Sequence, residues 1–187
     1  MKPLVGLFAV FAASGCVMNT TPAGDSGFHK PQSLQEFDGC YQNCSDSSDG
    51  SASACLSSII WPDAFDHESM PEAISVLAVR EDRLTVQAHQ HGKAIKSSEF
   101  VDGKHFEFSS GRIELKREFL ASWATEPGNV FIGVATGKTV LGLDEKGRGR
   151  IEQSGTFAGT GFLIIPIAGT ATDVSRIERR NELCSGS

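Results

Sequence analysis

The chain has 187 residues, a formal net charge of −6 and an isoelectric point of about 5.3. An acidic chain without a basic block is a poor candidate for binding nucleic acid or for adhering to anionic lipid headgroups, and we predict no nucleic-acid partner. The length suits one domain with a substantial hydrophobic core.

The first fifteen residues have the layout of a secretory signal peptide. Lys2 supplies a short cationic start, residues 4–13 are apolar apart from one glycine, and Ala13-Ser14-Gly15 forms a triplet of small residues. An apolar run of about ten residues is too short to span a bilayer, which needs about twenty. We therefore predict that residues 1–15 are a signal peptide and not a transmembrane helix.

Cys16 follows this triplet directly, and the arrangement resembles the lipobox of bacterial lipoproteins. The resemblance implies that Cys16 is acylated, becomes the mature N-terminus and holds the protein on the lipid bilayer through its acyl chains. The residue after the cysteine is Val17 and not Asp, and by the same resemblance this implies an outer-membrane location facing the periplasm. The chain as a whole is similar in style to small envelope lipoproteins with a lipobox, a polar tether and one β-rich domain.

Residues 16–33 are predicted to be the lipidated cysteine followed by a flexible tether. Residues 17–33 contain two prolines, two glycines and few apolar side chains, a composition typical of linkers. Seventeen residues reach at most about 55 Å when fully extended, so we expect the domain to stand away from the bilayer. A single domain is predicted over residues 34–187.

The remaining four cysteines predict two disulfides in an oxidising compartment. Three pairings are possible. We favour Cys44–Cys55, which closes a polar loop of ten residues, and Cys40–Cys184, which joins the start of the domain to its end. Cys-x3-Cys also occurs in zinc sites, but the chain has no second close Cys/His pair to complete one.

The first half of the domain predicts short strands with one face apolar and one polar. Residues 34–41 indicate a first strand interrupted by Gly39, and residues 53–61 a short helix that ends before a proline. Residues 74–79 form a β-branched run, and from Leu84 to Leu115 apolar and polar residues alternate in segments separated by turn signals. These signals are Glu81-Asp82, Gly92, Asp102-Gly103 (the strongest two-residue hairpin signal) and Ser110-Gly111.

The second half predicts longer strands of the same kind. Residues 130–144 indicate one long bent strand, 150–157 its return after a turn, and 174–180 a final strand. Residues 162–168 are the most apolar segment after the signal peptide, and we expect them to plug or cross the end of the fold. The prediction is an all-β, mainly antiparallel meander that forms a small barrel or a curved sandwich.

Three histidines are the candidate metal ligands. His89 and His91 lie two residues apart at a strand end and therefore point to one side, and His105 lies on a nearby strand. Three imidazoles so placed could hold Zn²⁺ or Cu²⁺. No carboxylate is evidently placed to orient them, and we therefore predict no metal and no cofactor. The acidic loops at 46–50 and 63–68 miss the spacing of a calcium loop.

Catalytic motifs are not detected in the sequence. Gly137-Lys138-Thr139 lacks the first glycine of a P-loop, and no Gly-x-Ser-x-Gly elbow occurs. The leading hypothesis is a non-enzymatic envelope lipoprotein that presents its β domain to an unknown envelope protein. The alternative is a carrier whose barrel interior, lined by some of the twelve phenylalanines, holds a small apolar ligand.

Overall fold

The computed structural model describes residues 16–46, 54–66, 68–116, 119–123, 131–161 and 165–185. Strands dominate these residues, which confirms the all-β class, and α1 (Leu56–Ile60) lies inside the span predicted for a short helix. Short 3₁₀ turns cover Leu34–Phe37 and Asn181–Leu183. The strands are β1 (Cys16–Thr20), β2 (Gly39–Gln42), β3 (Ala73–Arg80), β4 (Arg83–Gln90), β5 (Lys93–Val101), β6 (Phe106–Ser109), β7 (Arg112–Leu115), β8 (Phe119–Trp123), β9 (Phe131–Leu143), β10 (Gly149–Gly161) and β11 (Ile165–Ile177).

These strands form two sheets that pack as a sandwich. The seven-stranded sheet has the order β1-β11-β10-β9-β7-β6, with β8 also paired to β9, and the four-stranded sheet has the order β2-β3-β4-β5. The strand pairs in the described residues are antiparallel, except that β1 runs parallel to β11. The sheets do not close into a barrel, so that alternative is wrong. Closure fails because β5 and β6, consecutive in the chain, belong to different sheets.

The hairpins follow from the alternation in the sequence. Between β3 and β4, Ile74 faces Ala88 and Val76 faces Val86, and the apolar side chains of this face are buried or half-buried in the core. Ser110 and Gly111 both have positive φ at the β6–β7 turn. Positive φ at both central residues is the geometry of the tight hairpin turn that matches the twist of the strands.

Asp102-Gly103 makes a turn but not the predicted hairpin, and that prediction is wrong. The turn carries the chain from β5 in one sheet to β6 in the other. Side chains accept the backbone bonds at this point: the Val101 N–H donates to Nδ1 of His105 (2.9 Å), and Oδ1 of Asp102 accepts from the N–H groups of Gly103 (2.8 Å) and Phe108 (3.0 Å). These bonds direct the chain across the sandwich.

The first predicted strand, over 34–41, is wrong in its first half. Leu34–Phe37 is a 3₁₀ turn, and only Gly39–Gln42 is extended. A 3₁₀ turn repeats every three residues, so Leu34 and Phe37 lie on one side, and both are buried in the core. Two apolar residues spaced three apart can therefore both be buried in the core when this segment is a 3₁₀ turn and not a strand.

The three longest strands extend beyond the core. β9, β10 and β11 each have thirteen residues in continuous register, and the first confirms the long strand predicted over 130–144. Where burial is described in these strands, the buried apolar residues lie near the β9–β10 turn: Val140, Leu143, Ile151, Val174 and Ile177. We call the opposite end, residues 131–135, 157–161 and 165–169, the distal end. The segment predicted to plug or cross the end of the fold lies partly outside the described residues, at 162–164, and residues 165–168 are the first residues of β11.

The two predicted disulfides are both present. Cys40–Cys184 joins β2 to the C-terminal 3₁₀ turn across 144 residues of sequence, and Cys44–Cys55 closes the loop before α1. Trp61, at the end of α1, is buried in the core and donates its indole N–H to the hydroxyl of Ser98 on β5 (2.9 Å). The long disulfide and this bond attach the N-terminal part of the domain to the C-terminal 3₁₀ turn and to the four-stranded sheet.

Candidate functional site: the anchored N-terminal segment

The candidate anchoring residue lies in a strand. Cys16 is the first residue of β1 and pairs with Gly169 of β11, and the pairing continues to Thr20 beside Asp173. β1 is an edge strand of the seven-stranded sheet, and Val17 and Met18 are exposed at 70% and 66% of their surface. The residue expected to carry the acyl chains is thus part of the folded domain.

The segment after β1 is packed on the domain, so the predicted flexible tether is wrong for residues 22–31. We call these residues the strap. Pro22 and Pro31 are buried, and the His29 N–H donates to the carbonyl of Leu143 at the end of β9 (2.7 Å). The prolines that suggested a linker occupy packed positions, where their restricted backbone lowers the entropy lost on docking.

A buried ion pair holds the strap. The guanidinium of Arg150 on β10 forms two hydrogen bonds with the carboxylate of Asp25, Nε to Oδ1 at 3.1 Å and Nη2 to Oδ2 at 2.8 Å. The Arg150 side chain is 8% exposed and that of Asp25 13%. The third nitrogen of the Arg150 guanidinium, Nη1, donates to a carboxylate oxygen of Glu152 (2.8 Å). Two parallel bonds between a guanidinium and a carboxylate fix both direction and distance.

The charges of this cluster reinforce one another. The hydrogen bond from Arg150 holds the pKa of Asp25 below its ordinary value, although burial acts in the opposite direction. Burial alone would lower the pKa of Arg150, but its hydrogen bonds to Asp25 and Glu152 raise it. Both groups are therefore charged throughout the physiological pH range.

An aromatic ring completes the docking of the strap. The guanidinium carbons of Arg150 and Arg112 lie 4.2 and 4.6 Å from the centroid of the Phe28 ring, which is the geometry of cation–π contacts. Gly142 on β9 lies under the ring, and a Cβ at that position would overlap it. Phe28 is the one large apolar side chain of the strap, and it is the feature of the sequence that could have indicated packing of this segment.

The structure does not bring the three candidate histidines together. His89 is buried, its Nε2 lies 2.8 Å from the hydroxyl of Ser75, and burial lowers the pKa of its imidazole. His91 lies in the β4–β5 turn, 81% exposed, with Nδ1 3.0 Å from a carboxylate oxygen of Glu72. His105 accepts a backbone bond in the crossover between the sheets. Within the described residues no three histidine, cysteine or acidic side chains are grouped to hold a metal.

The interior of the sandwich contains a small cavity. Its volume is about 140 Å³, and apolar side chains of both sheets and α1 line most of it, among them Phe37, Ile60, Ile74, Phe106 and Ile151. Ligand pockets usually measure roughly 300–1,000 Å³, whereas an apolar cavity of about 150 Å³ holds a single benzene. The cavity therefore has room for one small ring and not for an acyl chain.

A larger and open depression lies on the seven-stranded sheet. It measures about 1,020 Å³ and is lined by hydroxyl-bearing and small residues of β9, β10 and β11 and by residues of β6 and β7. The hydroxyls of Thr136 and Thr156 lie 2.9 Å apart across neighbouring strands, and Lys138 at its border forms a 2.6 Å ion pair with Glu114. Glu107, Glu114 and Lys116 also line the depression, on the side of β6 and β7. The depression is therefore an open surface with charged residues of both signs along one side.

Comparisons with protein-family models, with curated proteins and with solved structures find no match to this chain. Across the residues that the structure describes, no helix has the length and apolar character needed to cross a membrane. The function must therefore be argued from the geometry of the chain itself.

Proposed function

We propose that this protein is a lipid-anchored envelope lipoprotein that acts as a non-enzymatic interaction or structural module. In this proposal residues 1–15 are removed as a signal peptide, Cys16 is acylated, and the β-sandwich stands at the membrane surface. The observation that carries the proposal is that Cys16 lies in β1, paired with Gly169 of β11, because the anchoring residue and the folded domain then form one unit.

The strap makes this attachment stiff. A tether of seventeen residues would let the domain move through tens of ångströms. Most of the residues predicted to form that tether are instead held on the domain: β1 pairs with β11, and the strap is bonded to β9 and β10. A protein held in this way presents a defined face at a defined height above the bilayer. That property suits a module that positions an envelope component, and a diffusing carrier has no need of it.

The alternative role as a carrier is less well supported. The cavity of about 140 Å³ has less than half the volume of the smallest usual ligand pockets, roughly 300 Å³. Native mass spectrometry of the purified protein tests this alternative directly. A stoichiometric apolar adduct would favour the carrier.

Replacement of the anchoring cysteine tests the proposal. Cys16→Ser should abolish acylation, measured as the intact mass of the mature protein, and should move the protein from the membrane fraction to the soluble fraction. Val17→Ala is the matched control, because it changes an exposed residue of the same strand and keeps the cysteine. Cys16→Ser protein that stays in the membrane fraction, or a mature N-terminus upstream of Cys16, would overturn the proposal.

A further inference from the structure

The distal end of the seven-stranded sheet is free of charge. Between the nearest charged residues, Lys138 on β9, Glu152 on β10 and Asp173 on β11, the distal parts of these strands contain only apolar residues, glycine, threonine, serine and one glutamine. β8, which pairs with the distal half of β9, is also uncharged. The three residues that join β10 to β11 in the sequence are Phe, Leu and Ile, and the longer segment joining β8 to β9 carries one charge, Glu126.

The candidate anchoring residue lies at this same end. Cys16 pairs with Gly169, and β11 continues for four residues beyond that pair to Ile165. At about 3.3 Å per residue, the strands project roughly 13 Å past Cys16. Because β1 runs parallel to β11, they project on the side from which the chain enters β1.

The described side chains at this end have little cover. Ala158 and Ala168 are exposed, Phe157 is half-buried, and Val17 and Met18 on the adjoining β1 are mostly exposed. Where burial is described in β9, β10 and β11, the buried core residues lie at the opposite end. A long uncharged sheet end exposed to water would promote edge-to-edge association. Such a surface needs an occupant.

We propose that the distal end lies in the interfacial layer of the bilayer, beside the acyl chains on Cys16. This inference rests on the proposed lipid anchor, and its occupant is lipid, because acyl chains at Cys16 bring the bilayer to within about four residues of the strand ends. The roughly 13 Å projection is less than half of the 30 Å hydrocarbon thickness, so the strands enter one leaflet without crossing it.

The open edges of the sheet limit the depth of insertion. Unpaired strand edges are not tolerated in the hydrocarbon core, since their N–H and C=O groups find no partners there. Beyond Gly169, β11 has no partner on its outer side among the described strands, and Pro166 on this edge has no N–H to leave unpaired. These features match the headgroup and upper acyl region, where water still satisfies the edge.

The two tryptophans of the chain provide matched probes. Trp123 is the last residue of β8 and pairs with Gly133, so it lies at the distal end, whereas Trp61 is buried in the core. The acylated protein is reconstituted in vesicles of phosphatidylethanolamine and phosphatidylglycerol that contain lipids brominated either near the headgroup or near the terminal methyl. Bromine quenches tryptophan emission only at short range.

We expect quenching by the lipids brominated near the headgroup, less by the deeper bromines, and loss of the effect in Trp123→Phe. Trp61→Phe should keep it, provided that circular dichroism shows the variant folded. If Trp123 is unquenched in protein whose mass proves acylation, the inference fails and the lipid anchor stands. In that event, Trp123 emission that depends on protein concentration would assign the distal end to a second copy of the chain.

A mass without acyl chains would overturn the lipid anchor instead. The same vesicles then decide the inference separately: quenching of Trp123 in the unacylated protein supports contact between the distal end and lipid, and its absence overturns both proposals. Quenching that persists unchanged in Trp123→Phe would place Trp61 near lipid and would also contradict the inference.

Discussion

The attachment of the strap should depend mainly on the buried pair between Asp25 and Arg150. Asp25→Ala removes the carboxylate that accepts two hydrogen bonds from the guanidinium, and leaves the guanidinium buried. Removing one partner of a buried pair usually costs about 3–5 kcal/mol. Arg150 keeps its bond to Glu152 and its contact with Phe28, so the lower figure applies.

A loss of about 3 kcal/mol would raise the population of the undocked strap by roughly a hundredfold. The backbone amide of His29 reports this equilibrium, because within the described residues its N–H donates to the carbonyl of Leu143 on β9 and loses that hydrogen bond when the strap undocks. Hydrogen exchange at this amide, followed by NMR, should therefore accelerate by about two orders of magnitude in Asp25→Ala. Ser26→Ala, at an exposed position in the same segment, is the control and should leave the rate unchanged.

Two results would refute this reasoning. Unchanged exchange at His29 in Asp25→Ala would show that the ion pair does not hold the strap. Equal acceleration of the core amides of β10 would show that the strap does not open as a separate unit. The ion pair also predicts how the stability of the docked strap depends on pH. The pKa of Asp25 in the folded protein is lower than its ordinary value of 3.8. The stabilisation by Asp25 is therefore complete above pH 3.8 and is lost as the pH falls through the pKa of the folded state.

Three further predictions address packing, covalent closure and pH. Gly142→Ala should displace the ring of Phe28 and destabilise the protein in urea unfolding, whereas in a Phe28→Ala background the same change should cost little, because the overlap is gone. Replacing both Cys40 and Cys184 by Ser should lower the free energy of unfolding by about 5 kcal/mol in the chain-entropy model; a loss under about 1 kcal/mol would contradict it. Burial lowers the pKa of His89, so its contribution to stability is present above 6.5 and falls as the solution is acidified; His89→Gln should flatten this dependence, and an unchanged slope would show that another group causes it.

Much of the fold was predictable because side chains alternate between the two faces of a strand. The β-branched run from Ile74 predicted β3, and the alternation of apolar and polar residues after it predicted β4, β6 and β7. The longer strand-like segments after residue 130 predicted β9 and β10. The error at Asp102-Gly103 shows the limit of local signals. A turn signal states that the chain reverses, but it does not state which sheet the next strand joins.

The candidate site could be predicted only in part. The position of Cys16 after three small residues is a local pattern, so the sequence alone could predict an anchor there. The packing of the next fifteen residues depends on partners far along the chain, since Asp25 and Arg150 are 125 residues apart. The composition of that segment is the same whether it is free or docked.

The sequence by itself determined the all-β class, the number of disulfides expected in an oxidising compartment and the place of the candidate anchor. Each of these depends on composition or on neighbours within a few residues. Only the tertiary structure decided that the sheets remain an open sandwich, that the strap packs on β9 and β10, and that Cys16 lies at the uncharged end of the longest strands. The last two features require residues more than a hundred positions apart to meet. That meeting, like the choice of sheet for each strand, is determined by the packing of the whole chain and not by any local pattern.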